Sequence, residues 1–298
     1  MAHDITLPEG YEDVLLEAYR KESLTSVLES TAPAGNIANM EQLGTFYYPE
    51  YSTGGLGDVQ ANGRLPQNSG VSLKWVPVQG NYDRGTILEL DEKTDSESFN
   101  IAFGQAANHL NRFKIVPEGD AFVFSSIIGA KYDSNPIVTP RTAQTFATGE
   151  AMLKELNAAS TAMDEAEVPE EGRILFITPT LLNSVKDLDT TKSREALDAF
   201  SSIVKVPQSR FYSAVNLLDG VSDGEEIGHY VKATGAKDLN YMIAHKDAII
   251  LRWKFAQGNV ISPEDNQQGF GYLYKYRKYG VCDVRHNLGH YITYSTKE

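Results

Sequence analysis

The sequence is poor in the features that announce chemistry. It has one cysteine, Cys282, among 298 residues, so neither an internal disulfide nor a CxxC metal site can be built, which fits a chain that matures in a reducing cytoplasm. No run of about 18 apolar residues occurs, and the opening MAHDITLPEG has neither a basic start nor an apolar centre. The expectation is a soluble chain without a membrane span or export signal. Positive charge is scarce as well: 27 Lys and Arg face 40 Asp and Glu, a formal net charge of −13. A surface of that sign disfavours a sequence-independent grip on polyanions. What remains is ordinary for a globular protein, with 41% hydrophobic and 22% charged residues, and excludes wholesale disorder. The length allows one large domain or two smaller ones.

The charge deficit is uneven. Residues 241–298 hold eight Lys and Arg against five Asp and Glu, a balance of +3, which leaves −16 for the first 240. Such asymmetry suits copies that meet acidic to basic, and equally suits contacts within one chain.

Residues 10–31 have helical spacing, with Tyr11, Val14, Leu15, Ala18 and Tyr19 on one face before a STAPAGN break, and read as a terminal helix and loose loop. GTFYYPEY at 44–51 reads as an edge strand because of its internal proline. The Gly-, Asn- and Ser-rich stretch 52–70 is expected to be a long exposed loop. It leads into SLKWVPVQ and NYDRGTILEL, two strand patterns across a short turn, expected to form a projecting hairpin. Thr94–Glu97 fits a capping box, and Phe99, Phe103, Ala106, Leu110 and Phe113 follow one helical stripe. Pro117 is expected to kink that helix or to open its continuation through Phe122 and Ile127. A second helix spans 146–166, with Met152, Leu156, Ala159, Met163 and Ala166 on one face. Ile174–Ile177 is apolar on both faces and reads as a buried strand before a Thr178-Pro179 helix start. Residues 241–244 and the following HKDAIILRW suggest the same strand-then-helix order. The middle of the chain is thus a mixed α/β unit.

No motif for catalysis or ligand binding is convincing. GGLGD at 54–58 lacks the GK[ST] ending that gives a phosphate loop its charge and metal ligand. Ser202 and Lys205 match SxxK, but without KTG or SDN partners and on a stretch that reads as strand. His286 and His290 are spaced to share a metal, with only Asp283 nearby to complete a set. Asp91/Glu92 and Glu170/Glu171 read as solvated turn charges before they read as an acid and base pair. No catalytic, cofactor or metal residue is assigned.

GYLYKYRKYG at 271–280 puts four tyrosines and three cations into ten positions. A single-strand platform needs rings and charges on one side. Here Phe270, Tyr272, Tyr274 and Tyr276 share one parity, while Leu273, Lys275, Arg277 and Tyr279 share the other. Period two therefore separates rings from most of the charge. The stretch reads as a strand whose aromatic face packs on the Phe99–Phe113 stripe.

GGLGD (54–58), DRG (83–85), VPEEGRILFITP (168–179), VPQSRFYSA (206–214), ISPEDNQ (261–267) and the closing aromatic strand occur in this order. Together they resemble the major capsid proteins of tailed bacteriophages with the HK97-type fold, in particular those of phages infecting Gram-positive bacteria. The resemblance implies an α+β fold with an N-terminal arm at 1–42 and a peripheral domain at 43–137 that includes an E-loop at 52–88 and a spine helix at 95–130. It further implies an axial domain at 138–262 and closing strands at 263–298 that return to the peripheral domain. The implied function is structural: hexamers and pentamers close an icosahedral shell around double-stranded DNA, without sequence-specific DNA binding, in the virion and before that in the host cytoplasm. Identical subunits, a portal and a scaffolding protein are the implied partners, the last because the segment before the arm helix is short, unless the arm does that work. Lys74 lies in the implied E-loop, yet no local motif identifies a crosslinking pair. Trp75 and Arg84, a large ring and a forked donor, are the candidates for contact between copies. An encapsulin-like compartment shares this fold and is the first alternative; a soluble acidic hydrolase using paired carboxylates is the second.

Overall fold

The computed structural model describes residues 23–29, 45–56, 58–59, 70–91, 108–267, 269 and 271–298. The capping box at 94–97, the helix stripe from Phe99 to Ala106 and the helix expected before residue 23 lie outside them. The chain divides into two compact units, Thr31–Tyr82 and the combination of Met1–Ser30 with Asp83–Glu298.

In the smaller unit, β1 (Thr45–Ser52) pairs antiparallel with β2 (Ser72–Gln79), Pro49 lying opposite Trp75 and Tyr47 opposite Pro77. In a two-stranded ribbon each strand has a free edge, which is where a proline without an N–H is tolerated. β1 is thus the edge strand its proline suggests. The expected pairing of SLKWVPVQ with NYDRGTILEL does not occur. The second of these, β3 (Tyr82–Asp91), joins a three-stranded sheet in the larger unit. Two features seat it there: the Asp83 carboxylate accepts 2.9 and 2.7 Å hydrogen bonds from Arg277, and Gly85 lets the Tyr276 carbonyl approach where a Cβ would stand 2.7 Å from its oxygen.

The larger unit is organised about α1 (Val116–Gly129), which continues a π-helical turn, Asn111–Ile115. The wide turn stands just ahead of Pro117, whose ring and missing N–H disturb the preceding ladder. It also moves the apolar face. Phe113, expected inside, is 55% exposed, and the residues that meet the sheet are Leu110, Ile115 and Val116. Beyond the turn the helix runs on through buried Phe122 and Ile127, as the pattern after Pro117 suggests.

After the short hairpin of β4 (Lys131–Tyr132) and β5 (Asn135–Pro136) comes α2 (Gly149–Glu165). Thr148 caps it by accepting from the Ala151 amide, and Met152, Leu156, Ala159 and Met163 are its buried stripe. β6 (Arg173–Ile177) is buried on both faces, as a continuous apolar run requires. α3 (Pro179–Lys186) and α4 (Thr191–Asp198) carry the chain to β7 (Ser202–Lys205), parallel to β6. β8 (Val215–Leu217) and β9 (Tyr230–Lys232) form a small ribbon. β10 (Leu239–His245) pairs antiparallel with β6. Next come β11 (Ile249–Ile261), β12 (Gly271–Val284) and β13 (Ile292–Thr296).

One sheet has the order β13-β10-β6-β7 and the other β11-β12-β3. Leu156, Met163, Leu175, Ile177, Leu182, Tyr241 and Ile243 fill the core between the first sheet and its helices, each large side chain contributing about 1.5–3 kcal/mol by leaving water. HKDAIILRW, expected to be a helix, is one 3-10 turn, Lys246–Ala248, and then the start of the 13-residue β11. Its β-branched Ile249 and Ile250 and aromatic Trp253 favour the extended state.

β12 keeps the parity of its sequence in part. Tyr274 is fully buried against Leu88, Leu110, Val260 and Tyr276, while Lys275 and Arg277 are exposed. Lys278, however, shares the parity of the rings and has no exposed surface. Period two puts it on the face of the rings, so of the three cations in this stretch only two are exposed.

Candidate functional site

Two open surfaces and one buried charge cluster stand out among the described residues. The first surface is a face of the β1–β2 ribbon. Residues directly opposite in an antiparallel pair share a face, so Tyr47, Pro49 and Tyr51 lie with Leu73, Trp75 and Pro77. Tyr51 is 68% exposed, Leu73 50% and Trp75 44%, whereas Tyr48, Val76 and Val78 on the other face are buried. An open row of rings and prolines of this kind is a candidate contact surface.

The second surface is the loop between β8 and β9. Gly220, Gly224, Gly228 and His229 all have positive φ, so the loop is set by left-handed residues. Asp219 accepts from the Val221 and Ser222 amides at 2.8 Å each and from the Ser222 hydroxyl. The hydroxyl, helped by those amides, holds its carboxyl at about 2. This hydrogen-bonded loop presents Val221 and Ile227, 84% and 85% exposed.

The charge cluster gathers on α1. Arg84 of β3 donates from Nε to Glu118 Oε1 at 2.9 Å and from Nη2 to the His229 carbonyl at 3.3 Å. Asp120, close by on the same helix and fully buried, accepts from Ser23, Leu24, Thr25 and Arg210. Lys278 stands over the Trp253 ring at 3.5 Å. Burial pushes its pKa well below the ordinary lysine value, against the attraction of Asp120, Glu29 and Glu118.

Of the sequence candidates, Trp75 is on the open ribbon face. Arg84 sits within its own chain against Glu118, with 24% of its side chain exposed. Ser202 and Lys205 are on a strand, where positions three apart point to opposite faces. His286 stacks on Tyr132 at 4.1 Å, and His290 meets Tyr291 edge-on. Glu170 and Glu171 are exposed, and their backbone carbonyls bind the Arg173 amide and the His245 ring. The side chains of Asp91 and Glu92 lie outside the described residues, as does Gly57 of GGLGD, whose Gly54 to Leu56 are exposed. Among the described residues no group of three His, Cys, Asp or Glu is placed to hold a metal, and no helix is long and apolar enough to cross a membrane.

Reading by motif missed Asp120, yet the sequence carries a signal for it. Asp120 lies four residues from both Val116 and Phe124, on an apolar stripe where a carboxylate needs buried donors.

No protein-family model matches the sequence, and no curated protein does either. Solved structures do. The mature capsid of bacteriophage PhiM1 superposes with a TM-score of 0.60 at 13% identity, over 86% of this chain and 83% of the other. A protein of Mycobacterium phage Che8 gives 0.58 at 11% identity over 92% and 90%. The virus-like particle from Pyrococcus furiosus gives 0.57 at 10% identity over 96% and 97%. This chain has the HK97-like capsid fold, of mixed helix and sheet, held in common with these structures at very low sequence identity.

Proposed function

We propose that the chain is the major shell-building subunit of a tailed-phage head. Copies assemble as hexamers and pentamers into an icosahedral shell around double-stranded DNA. The observation that carries this reading is the open face of Tyr51, Leu73 and Trp75 on a chain of HK97-like fold. Exposed rings in a row are stabilised by being covered, and identical copies supply the cover many times over in a closed assembly. The β8–β9 loop with Val221 and Ile227 is a second surface of the same kind. The order of GGLGD, DRG, VPEEGRILFITP and VPQSRFYSA supports the branch that infects Gram-positive bacteria.

The role is structural and not enzymatic, in the virion and, during assembly, in the host cytoplasm. A portal and a scaffolding protein are the further partners. The formal charge of −13 suits a container that does not grip its genome, because tight phosphate contacts would resist packaging and ejection. Strong, salt-sensitive affinity of shells or subunits for duplex DNA would count against this.

Negative-stain electron microscopy of the purified full-length chain tests the reading, with closed shells or capsomer rings as the expected result. A compact monomer that persists at high concentration would overturn it. The full-length similarity to the Pyrococcus particle favours one second reading, an encapsulin-like compartment. Co-purification with a cargo protein, in place of a portal and DNA, decides for that alternative.

A further inference from the structure

We propose that Asp120 couples the seating of the Ser23–Glu29 segment to the placement of the Gln208–Arg210 turn, so that loosening either one loosens the other. Asp120 has no exposed surface. Its Oδ1 accepts from Ser23 Oγ at 2.8 Å, Thr25 N at 3.2 Å and Thr25 Oγ1 at 2.8 Å. Its Oδ2 accepts from Leu24 N at 3.2 Å and Arg210 Nη1 at 3.1 Å. A carboxylate offers about four lone-pair sites, and five donors saturate it.

The segment is shaped for this seat. Within 23–29 only Ser26–Leu28 is helical, as a single 3-10 turn, because the Leu24 and Thr25 amides point at the carboxylate. Ser26 Oγ donates to the Ser23 carbonyl at 2.9 Å, and Leu28 is 1% exposed. On the other side, Arg210 belongs to a turn whose Ser209 carbonyl accepts the Tyr230 hydroxyl at 2.7 Å. The line from Ser23 through Asp120 and Arg210 therefore reaches β9 and the base of the exposed loop.

The coupling arises from sharing one buried anion. If Ser23–Glu29 leaves, four of the five donors leave with it, and Arg210 faces a carboxylate open to water. If Arg210 leaves, the same anion loses the cation paired with it, and the remaining neutral donors hold a less compensated charge. A linkage of this kind is reciprocal, with one coupling factor in both directions.

Hydrogen exchange by mass spectrometry on the full-length chain tests this, and it concerns a single subunit whether or not shells form. Ser23→Ala with Thr25→Ala removes hydroxyl donors without altering the turn. The expected result is about tenfold faster exchange at the Arg210 and Phe211 amides, which bond to the Pro207 and Gln208 carbonyls. Arg210→Gln is expected to speed exchange at Leu24 and Thr25 by a similar factor, and Arg210→Lys to restore part of the protection. Exchange that rises only in the segment carrying the substitution, in both variants, would overturn the proposal.

Discussion

Lys278 Nζ stands 3.5 Å from the centroid of the Trp253 ring, on a side chain with no exposed surface. The ring face and the nearby Asp120, Glu29 and Glu118 favour its charged form, but burial outweighs them and lowers its pKa well below the ordinary 10.5. Between the lowered value and about 10.5, the unfolded chain binds a proton that the folded chain refuses, so Lys278 makes stability rise with pH across that window. Cys282 and Tyr276 act in the opposite sense, because burial raises both, and stability falls once the unfolded chain loses those protons above about 8.5 and 10. Comparison with Lys278→Met isolates the lysine. Across the window between that lowered value and about 10.5, urea unfolding should show wild type gaining on the variant as pH rises, by at most about 1 kcal/mol per pH unit. Parallel pH profiles would mean that the three carboxylates hold the proton on.

Gly149 opens α2 where it crosses α3, and a Cβ there would stand 2.1 Å from the Ser184 carbonyl oxygen. Backbone cannot swing aside as a side-chain tip can, so Gly149→Ala must push the helices apart. The expected cost is about 2–3 kcal/mol, measured as a fall in the urea midpoint with an unchanged slope. Gly129, which meets nothing within 4 Å, is the control: Gly129→Ala should leave the midpoint within about 0.5 kcal/mol of wild type.

The Cys282 thiol is buried and lies 3.7 Å from the Val123 carbonyl, and burial raises its pKa. A thiolate is the reactive form, so a disulfide-exchange reagent at pH 8 should label the native chain at the rate of unfolding and denatured chain at once. Rapid labelling without denaturant would show that β12 opens locally.

The parts of the fold that sequence discloses are those where one local pattern meets no competitor. Ile174–Ile177 is apolar on both faces and forms the buried β6. The motif around it has a physical basis: Gly172 takes φ +97° beside His245, and Arg173, 2% exposed, donates to the Pro169 carbonyl at 3.0 Å and pairs with Asp164 at 2.7 Å. β2 and β3 are the opposite case. Both alternate and a short turn joins them, yet their partners are β1 and β12. On β12 the partners of β3 are Tyr274, which packs on Leu88, and Arg277, 194 residues from Asp83, a distance no local pattern spans. Within the stripe Leu110 meets Tyr274 as expected, whereas Phe113 turns outward because it lies inside a π-turn, which breaks the helical spacing. Of the sites, Trp75 is visible as a large ring on a strand, whereas the Asp120 cluster depends on segments remote in sequence.

Trp75 and Arg84, paired in the sequence as candidates for contact between copies, separate in the structure and should separate in their effects. Trp75 is 44% exposed on the open ribbon face, so Trp75→Ala removes a ring that a neighbouring copy would cover. Under the shell reading it lowers the yield of closed particles, as a lost interface anchor costs about 2 kcal/mol or more, and it leaves the melting of the free subunit nearly unchanged. Arg84 is held by Glu118, a residue 7% exposed, at 2.9 Å. Arg84→Ala strips a nearly buried carboxylate of a two-point partner and should destabilise the subunit itself by about 1–3 kcal/mol. Differential scanning calorimetry of subunits, run beside particle counts by electron microscopy, reads both effects. Shell formation unchanged in Trp75→Ala would remove the ribbon face from the interface, and an unchanged Arg84→Ala melting temperature would show that Glu118 finds its compensation elsewhere.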